Sequence, residues 1–412
     1  MGSQNTAARY DIFFGFSQIE IEGKIPSDRN MFDNLFKQVK RADELGFDTA
    51  WIGGSHFSIE QHHLTSPNPV LPHFRGEVCI NTDIVALGLA LFSHTKKIGI
   101  GSAIQSLFAN GGPIGNAESL RTIHCLKQAS GWGDRKLKFG FGTGRFDFAH
   151  RAYGIFPRSE REKAYWPIIK REVFRQAVEI FLRLLRGEAI GSDDVTPLYL
   201  YPDSFQTAAD WDAFRGDQRT SGGALELESF WSFERIALIP KVEDLDDIEL
   251  YCGSTDLATV RTANRYLPTR VFNLSNTTRE TIEATHTFMA ENYNPEGGPW
   301  RRDMMPRTVL VFVCADPGLT RAERVEKARS QALKAMSAWQ KAMEGTIENH
   351  KLKSALDNSI FGDPEQVASQ IQERFDPKDR LMLWFDFNNH ATDEVERSMD
   401  VFAEKVIRRL AR

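Results

Sequence analysis

Short buried-type runs of aliphatic and aromatic residues alternate with longer amphipathic segments along most of the chain. The strand-like runs are Tyr10–Phe16, Asp48–Ile52, Lys97–Ser106, Lys138–Arg145, Ile248–Cys252, Thr269–Leu274, Thr308–Cys314 and Arg380–Phe387. Most are continuously hydrophobic rather than alternating, which is typical of parallel strands covered on both faces. Eight strands alternating with helices predict an α/β fold, a (β/α)8 TIM barrel with insertions. An open doubly wound sheet is the alternative, and it fits the strand count less well.

Two long stretches interrupt this alternation. Residues 192–247 are polar and rich in Asp and Gly, and we expect a hairpin at Ser229–Val242 to cover part of the barrel mouth. Residues 316–361 contain a charged helix, Arg321–Met343. We interpret both stretches as insertions, approximately 192–247 and 316–361, in one barrel domain that spans residues 1–412.

The first predicted helix has a capping residue at each end. Asn30 is the predicted N-cap, with Asp33 three residues later, and Gly46 is the predicted C-cap. The strand Asp48–Ile52 follows directly, so the first two strands and this helix form one right-handed parallel unit.

Charge, cysteine content and hydrophobic runs indicate which classes of protein this chain does not resemble. The net charge of −5 gives no reason to expect a nucleic-acid or anionic membrane partner. The four cysteines lie far apart without a C-x-x-C pair, which indicates reduced thiols rather than disulfides or a zinc site. The longest apolar run, Ile84–Phe92, is about half the length of a membrane span, and no apolar leader precedes the first strand. We therefore expect a soluble, cytoplasmic protein.

Small and polar residues follow the second strand, where Gly53 and Gly54 lead into Ser55 and His56. In a TIM barrel the chemistry lies at the C-terminal ends of strands, so Ser55 and His56 are candidate catalytic residues. The alternative is a core strand whose histidine only caps a loop. The long loop 56–76 also carries His62 and His63, but the spacing of these two residues and His56 fits no common ligand pattern, and we predict no metal site.

A glycine-rich run, Phe139–Arg145, ends the fourth strand. It lacks the G-x-G-x-x-G pattern of a dinucleotide loop. At a strand tip, missing side chains would let a flat ring or a phosphate approach the backbone. Arg145 would then bind the phosphate through its paired N–H donors, unless it forms a surface salt bridge.

Two further anion sites are candidates. Gly253, Ser254 and Thr255 lie between a strand and a helix, where free backbone N–H groups and two hydroxyls could hold a phosphate. Alternatively, Ser254 or Thr255 is only the N-cap of that helix. Arg161 could be another phosphate ligand, or it could pair with a neighbouring glutamate.

Three segments together resemble a known family. Gly46–Phe57 (G-F-D-T-A-W-I-G-G-S-H-F) is similar to the second strand of the bacterial luciferase-like flavin monooxygenases, usually G-F-D-x-x-W-[IV]-x-E-H-H-F. Gly142–Arg145, followed by Tyr153-Gly154 and Arg161, resembles the family's phosphate segment. Gly101–Ile104 resembles its third strand tip. The resemblance covers roughly residues 10–185, 229–275 and 360–411.

The resemblance implies a two-component monooxygenase. Reduced FMN would come from a separate flavin reductase and form a C4a-hydroperoxide with O2, which oxygenates a small organic substrate. Arg145 and Arg161 would bind the FMN phosphate. A non-prolyl cis peptide between Ala103 and Ile104 would lie against the isoalloxazine. His56 would protonate or orient the peroxide, and Ser55 would hydrogen-bond it or the flavin. The expected assembly is a homodimer.

The sequence also departs from the family pattern. Gly54-Ser55-His56 replaces E-H-H, so Ser55 stands where the luciferases have their acid/base histidine, and Lys127 stands where aspartate is common. These differences leave open a deazaflavin-dependent oxidoreductase of the same fold, or a flavin-binding protein without turnover. A barrel hydrolase is a further option, but Asp386, near His390, is the one clear acid at a strand tip.

The sequence does not identify the substrate. Phe57, Phe108 and Trp384 are candidate pocket aromatics, which would suit an apolar or aromatic molecule, although each is better explained as core.

Overall fold

The computed structural model describes residues 10–254, 256–346 and 348–411. Its strands are β1 Tyr10–Phe14, β2 Thr49–Ile52, β3 Gly99–Ser106, β4 Leu137–Gly142, β5 Leu198–Leu200, β6 Leu225–Leu227, β7 Ile248–Cys252, β8 Thr269–Val271, β9 Arg307–Val313, β10 Ile360–Gly362 and β11 Leu381–Trp384. Nine of them form one parallel sheet in the order β10-β9-β11-β1-β2-β3-β4-β7-β8, while β5 and β6 form a separate antiparallel pair.

Helices follow most of the sheet strands. They are α1 Asp28–Leu45, α2 Ile59–Thr65, α3 Ile84–His94, α4 Gly112–Ala129, α5 Asp147–Ala152, α6 Glu160–Ala164, α7 Trp166–Leu185, α8 Ala208–Arg215, α9 Leu257–Asn264, α10 Arg279–Asn292, α11 Arg321–Ala342, α12 Asn349–Asp357, α13 Pro364–Arg374, α14 Thr392–Val401 and α15 Ile407–Leu410. One π-helical turn, Phe402–Val406, joins the last two.

The sheet closes into a ring between β8 and β9. The N–H of Asn273, just after β8, donates to the carbonyl of Pro306 at 3.0 Å, and the N–H of Thr308 donates to the carbonyl of Asn273 at 3.1 Å. The first half of β9 pairs with β11, and its last three residues pair with β10. Eight strands therefore form the predicted (β/α)8 barrel, and β10 is an additional strand beside β9.

Local sequence sets the first βαβ unit as predicted, with one change at its start. The N-cap of α1 is Ser27, whose hydroxyl accepts from the N–H of Asn30, so the predicted cap at Asn30 is wrong by one turn. Gly46 ends the helix in the left-handed region at φ 85°, as predicted. All four residues of β2 are buried, as expected for a strand between a packed barrel interior and a helical layer.

The hairpin predicted at Ser229–Val242 is wrong. The antiparallel pair of this insertion is β5 with β6, and residues 229–242 contribute a single bridge from Ile236 to Ile190. Side chains hold the segment instead, since the Ser229 hydroxyl donates to Gln176 Oε1 at 2.8 Å and accepts from the N–H of Trp231. Pro240 also lacks the N–H that a ladder needs.

The second insertion has the predicted charged helix, α11, and adds α12 and β10. Among the residues described, no helix combines the length and the apolar character that crossing a membrane requires.

Candidate functional site

A cavity of about 720 Å³ opens at the C-terminal ends of the barrel strands. Residues that follow β1, β2, β4, β7 and β11 contribute to its walls, together with the end of β3. Its size and position are those of a small-molecule site in a barrel enzyme.

Ser55 and His56 both line this cavity. The backbone of Asn81 accepts from the N–H of Ser55 at 3.0 Å, and its side-chain amide donates to the carbonyl of Gly53 at 3.0 Å, so the segment after β2 is fixed from both sides. The His56 ring lies 6.0 Å from that of Tyr153, edge to face. Burial lowers the pKa of His56, and the nearby His150 lowers it further, so a neutral imidazole faces the cavity.

The tip of β3 carries the cis peptide bond that the resemblance implied, between Ala103 and Ile104. Both residues line the cavity. The pairing of β3 with β4 shifts register between Ser102 and Gln105, around this bond.

The glycines around this tip have a different role from the one predicted. A Cβ at Gly142 or Gly253 would lie 2.4 or 2.5 Å from Cδ1 of Ile104, so the Ile104 side chain occupies the space that these glycines leave. Gly140 faces the carbonyl of Ser102 in the same way. Because these glycines lack side chains, the tip of β3 can pack against them. Of the three glycines in Phe139–Arg145, Gly144 is the one that lines the cavity.

Arg145 also lines the cavity, at the end of the same run. Its guanidinium contacts the Met343 sulfur (Nη2–Sδ 3.9 Å) and lies 5.3 Å from the centre of the Phe146 ring. Arg145 remains exposed to solvent, partial desolvation lowers its pKa, and none of the ion pairs among the described residues includes it. An accessible cation without a carboxylate partner suits an anionic ligand.

Sequence reasoning missed His150, which lies on the short helix α5 and faces the same cavity. Its side chain is almost fully buried, and its Nδ1 lies 3.4 Å from Oδ1 of Asp147. Lys170 donates to the same carboxylate oxygen at 2.6 Å. His150 and Lys170 lower the pKa of Asp147 to about 2. The signal that could have revealed His150 is its place five residues after Arg145, on the same strand-tip connection.

The predicted cradle after β7 is only partly at the cavity. Gly253 lines it, whereas the Ser254 hydroxyl accepts from the N–H of Asp256 at 3.1 Å, and Thr255 lies outside the described residues. The N-cap of α9 is Asp256, whose carboxylate accepts from the N–H of Thr259 at 3.1 Å. An acidic side chain therefore occupies the helix N-terminus that was expected to hold a phosphate.

Arg161 does not reach the cavity. It lies on α6, and its guanidinium stacks 5.3 Å from the ring centre of Phe214, in the first insertion. The structure thus separates the two arginines that were predicted to bind one phosphate.

The cover of the mouth comes from the second insertion, not from the first. The lid residues, as we call them, are those of the second insertion that line the cavity: Trp339, Met343, Thr346, Glu348 and Lys351. No described residue of 192–247 lines it. The loop after His56 contributes Phe74 and Val78 near its far end.

The neighbouring histidines, His62 and His63, lie on α2, where His62 stacks on Phe148 with ring centres 4.2 Å apart. Within the described ranges, no three His, Cys, Asp or Glu side chains are grouped as metal ligands.

Comparisons with known proteins agree with this geometry. The sequence model for luciferase-like monooxygenases matches residues 12–207. No curated protein matches the chain significantly. Among solved structures, the monooxygenase RslO1 from Streptomyces bottropensis superposes with a TM-score of 0.63 at 16% identity, covering 97% of this chain and 99% of that one.

Two other structures share the fold. The FMN complex of the oxygenating constituent of 3,6-diketocamphane monooxygenase from Pseudomonas putida gives a TM-score of 0.55 at 15% identity, over 97% of this chain and 98% of its own. An F420-dependent secondary alcohol dehydrogenase gives 0.53 at 15% identity, over 96% and 98%. The sequence match over residues 12–207 and the barrel shared over nearly the whole length agree: the chain is similar to the luciferase-like monooxygenases in sequence over its first half, and it shares the fold of these solved structures throughout.

Proposed function

We propose that the protein is the oxygenating component of a two-component monooxygenase, which binds reduced FMN and uses O2 to oxygenate a small organic substrate. The observation that carries the proposal is Arg145, a guanidinium that forms no ion pair with the described residues and lies in the wall of a cavity of about 720 Å³. A phosphate would pair with this free cation through two parallel N–H donors.

The remaining walls fit a phosphorylated flavin. The two residues of the cis peptide, Ala103 and Ile104, line the cavity next to Gly253. Arg145 would hold the phosphate, and these three residues would support the ring system. This proposal gives lesser roles to Arg161 and Ser254, because neither residue lines the cavity. It gives a lesser role also to Thr255, which lies outside the described residues.

Bound reduced flavin supplies the electrons that activate O2, and the protein positions and protects the reaction. His56, held neutral by burial, can accept a proton and release it at the cavity wall. The hydroxyl of Ser55 beside it can donate a hydrogen bond to the same region. The lid residues would exclude water from the cavity.

The proposal includes partners and organisation. A separate flavin reductase would supply the reduced cofactor, and a homodimer is the proposed assembly. The chain itself would be one barrel domain with the insertions at about 192–247 and 316–361. The diketocamphane enzyme, named as an oxygenating constituent, supports the two-component arrangement by its shared fold.

Cofactor titration tests the proposal. We expect the wild type to bind FMN, and Arg145→Ala to weaken it by about 2–3 kcal/mol, roughly 30- to 150-fold, as expected for a hydrogen bond to a charged group. Arg161→Ala is the matched control and should bind FMN like the wild type. Equal losses in both variants would contradict the placement of the phosphate at Arg145.

Turnover separates the alternatives. With a reductase present, the wild type should couple oxygen consumption to product formation, whereas His56→Ala should bind FMN normally and give less product. Tight binding of F420 with hydride transfer and no oxygen uptake would instead indicate a deazaflavin-dependent oxidoreductase. FMN binding without faster oxygen consumption than free reduced flavin would indicate a binding protein.

A further inference from the structure

One wall of the cavity consists of four aromatic side chains in series. The ring centre of Phe13 lies 4.5 Å from that of Trp384, Trp384 lies 4.8 Å from Phe387, and Phe387 lies 5.8 Å from Trp339. All four line the cavity. We call this set the aromatic wall. It combines the first strand, the last strand with its following loop, and the lid helix α11, which are far apart in sequence.

The aromatic wall is fixed by packing. A Cβ at Gly15 would lie 2.6 Å from the Trp384 ring, so a glycine is needed at this position for the indole to pack against the chain just after β1. The amide of Asn388 donates to the carbonyl of Ala335 at 2.9 Å, which ties the loop after β11 to α11. The rings are therefore held in place before any ligand binds, which lowers the entropy cost of binding.

The rest of the cavity offers no charge for a second charged ligand. Apart from the two imidazoles, the charged side chains that line it in the described residues are Arg145, Glu348 and Lys351. Glu348 and Lys351 pair with each other at 2.9 Å on the rim. Arg145 is assigned to the cofactor phosphate, and burial lowers the pKa values of His56 and His150, which keeps both rings neutral. A substrate carrying a net charge would be desolvated here without a partner.

We propose that the substrate of this site is a neutral, planar aromatic molecule that packs its ring system against the aromatic wall. This inference rests on the proposed function, since it reserves Arg145 for the cofactor. Stacked and edge-to-face ring contacts favour an aromatic ligand beyond the area that it buries, and a flexible alkyl chain of equal size gains neither contact.

The test uses the full-length, FMN-loaded protein and three probes: 1-naphthol, the anion 2-naphthoate, and decanal. Calorimetric titration should show 1-naphthol binding about tenfold or more tightly than either of the others. Trp339→Leu, which keeps an apolar side chain but removes the ring, should weaken 1-naphthol binding about tenfold, and Trp339→Phe should restore most of it. Trp300→Leu, which removes an indole that packs against Tyr293 outside the cavity wall, is the control and should change neither affinity.

The outcomes are distinct from those of the cofactor test. FMN affinity is measured for every variant, and the proposal requires that it stay unchanged in Trp339→Leu. Loss of FMN binding together with naphthol binding would mean that the wall holds the cofactor, which would overturn the substrate assignment but leave FMN binding intact in the wild type. Decanal or 2-naphthoate binding as tightly as 1-naphthol would also overturn it.

Discussion

The two ends of the barrel differ in how their charged and polar groups are paired. At the N-terminal end, which we call the floor, Asp11 accepts from Trp51 Nε1 at 2.8 Å and from Arg380 at 2.9 Å, while Lys138 donates to Asp48 at 2.6 Å. Each of these charges has at least one partner of opposite sign.

A second group on the floor repeats the arrangement. Arg270 pairs with Glu249, and the Tyr251 hydroxyl donates to the same carboxylate at 3.0 Å. Burial alone would raise the pKa of Asp48, but Lys138 and Arg380 outweigh it and lower that pKa to about 2. The floor is therefore an ionised network whose charges compensate one another.

At the C-terminal end, the mouth, polar groups lack such compensation. Arg145, which is exposed, has a sulfur atom and an aromatic ring as neighbours. Within the described residues, the indole Nε1 of Trp384 and Oδ1 of Asp386 have no partner at hydrogen-bond distance. Burial raises the pKa of Asp386 to about 7. This contrast indicates that the paired charges of the floor stabilise the fold. The unpaired polar groups of the mouth lower the stability of the fold, but they remain available to bind ligands.

The largest effect is expected from breaking the floor. Asp11→Ala removes the carboxylate that Arg380 and the indole of Trp51 contact and leaves buried charge unpaired, so we expect a loss of about 3–5 kcal/mol in the free energy of unfolding. Urea unfolding measures it. Asp33→Ala, which removes an exposed carboxylate 3.8 Å from Arg29, is the control and should change stability by less than about 0.5 kcal/mol. Equal small effects in both variants would remove the distinction between floor and surface.

The barrel and part of the mouth could be predicted from sequence because their signals are local. Continuous apolar runs fix the strands, and Gly46 ends α1 where a left-handed residue is needed. Arg145 and His56 meet in one cavity because strand tips of a barrel converge at one end.

The features that were predicted wrongly depend on packing between residues that are far apart in the sequence. Which insertion covers the mouth is decided by the path of the chain, which the local sequence does not show, and the prediction therefore placed the first insertion there. Arg161 lies on a short helix whose orientation depends on the contact with Phe214. Gly142 and Gly253 resemble ligand-facing glycines in sequence, and only the position of the Ile104 side chain shows their actual role.

The second prediction uses the pH dependence of stability to test whether Asp386, at the mouth, lacks the favourable partners that the carboxylates of the floor have. Asp386 has a folded-state pKa above its unfolded value, so its favourable contribution is complete below about pH 4 and is lost as the pH rises through about 7. Asp386→Asn cannot ionise, and we expect it to match the wild type near pH 4 and to exceed it in stability at pH 8 by on the order of 2 kcal/mol. Urea unfolding at the two pH values measures the difference.

The control for this variant is Asp217→Asn, at an exposed position, where we expect a change in stability of less than about 0.5 kcal/mol at both pH values. A wild-type advantage over Asp386→Asn at pH 8 would show that the carboxylate has a favourable partner there, and the mouth would then resemble the floor.

The smallest effect sharpens the comparison most, because stability and ligand binding should respond differently. Arg145→Met replaces an exposed cation at the cavity wall with an apolar side chain of similar length beside Met343. Because solvent screens the exposed charge, we expect the free energy of unfolding to change by less than about 0.5 kcal/mol without ligand, while FMN affinity falls. Thermal unfolding with and without FMN measures both, since bound ligand should raise the melting temperature of the wild type alone. If the variant were less stable without FMN, Arg145 would be part of the framework, and its unpaired charge would need another explanation.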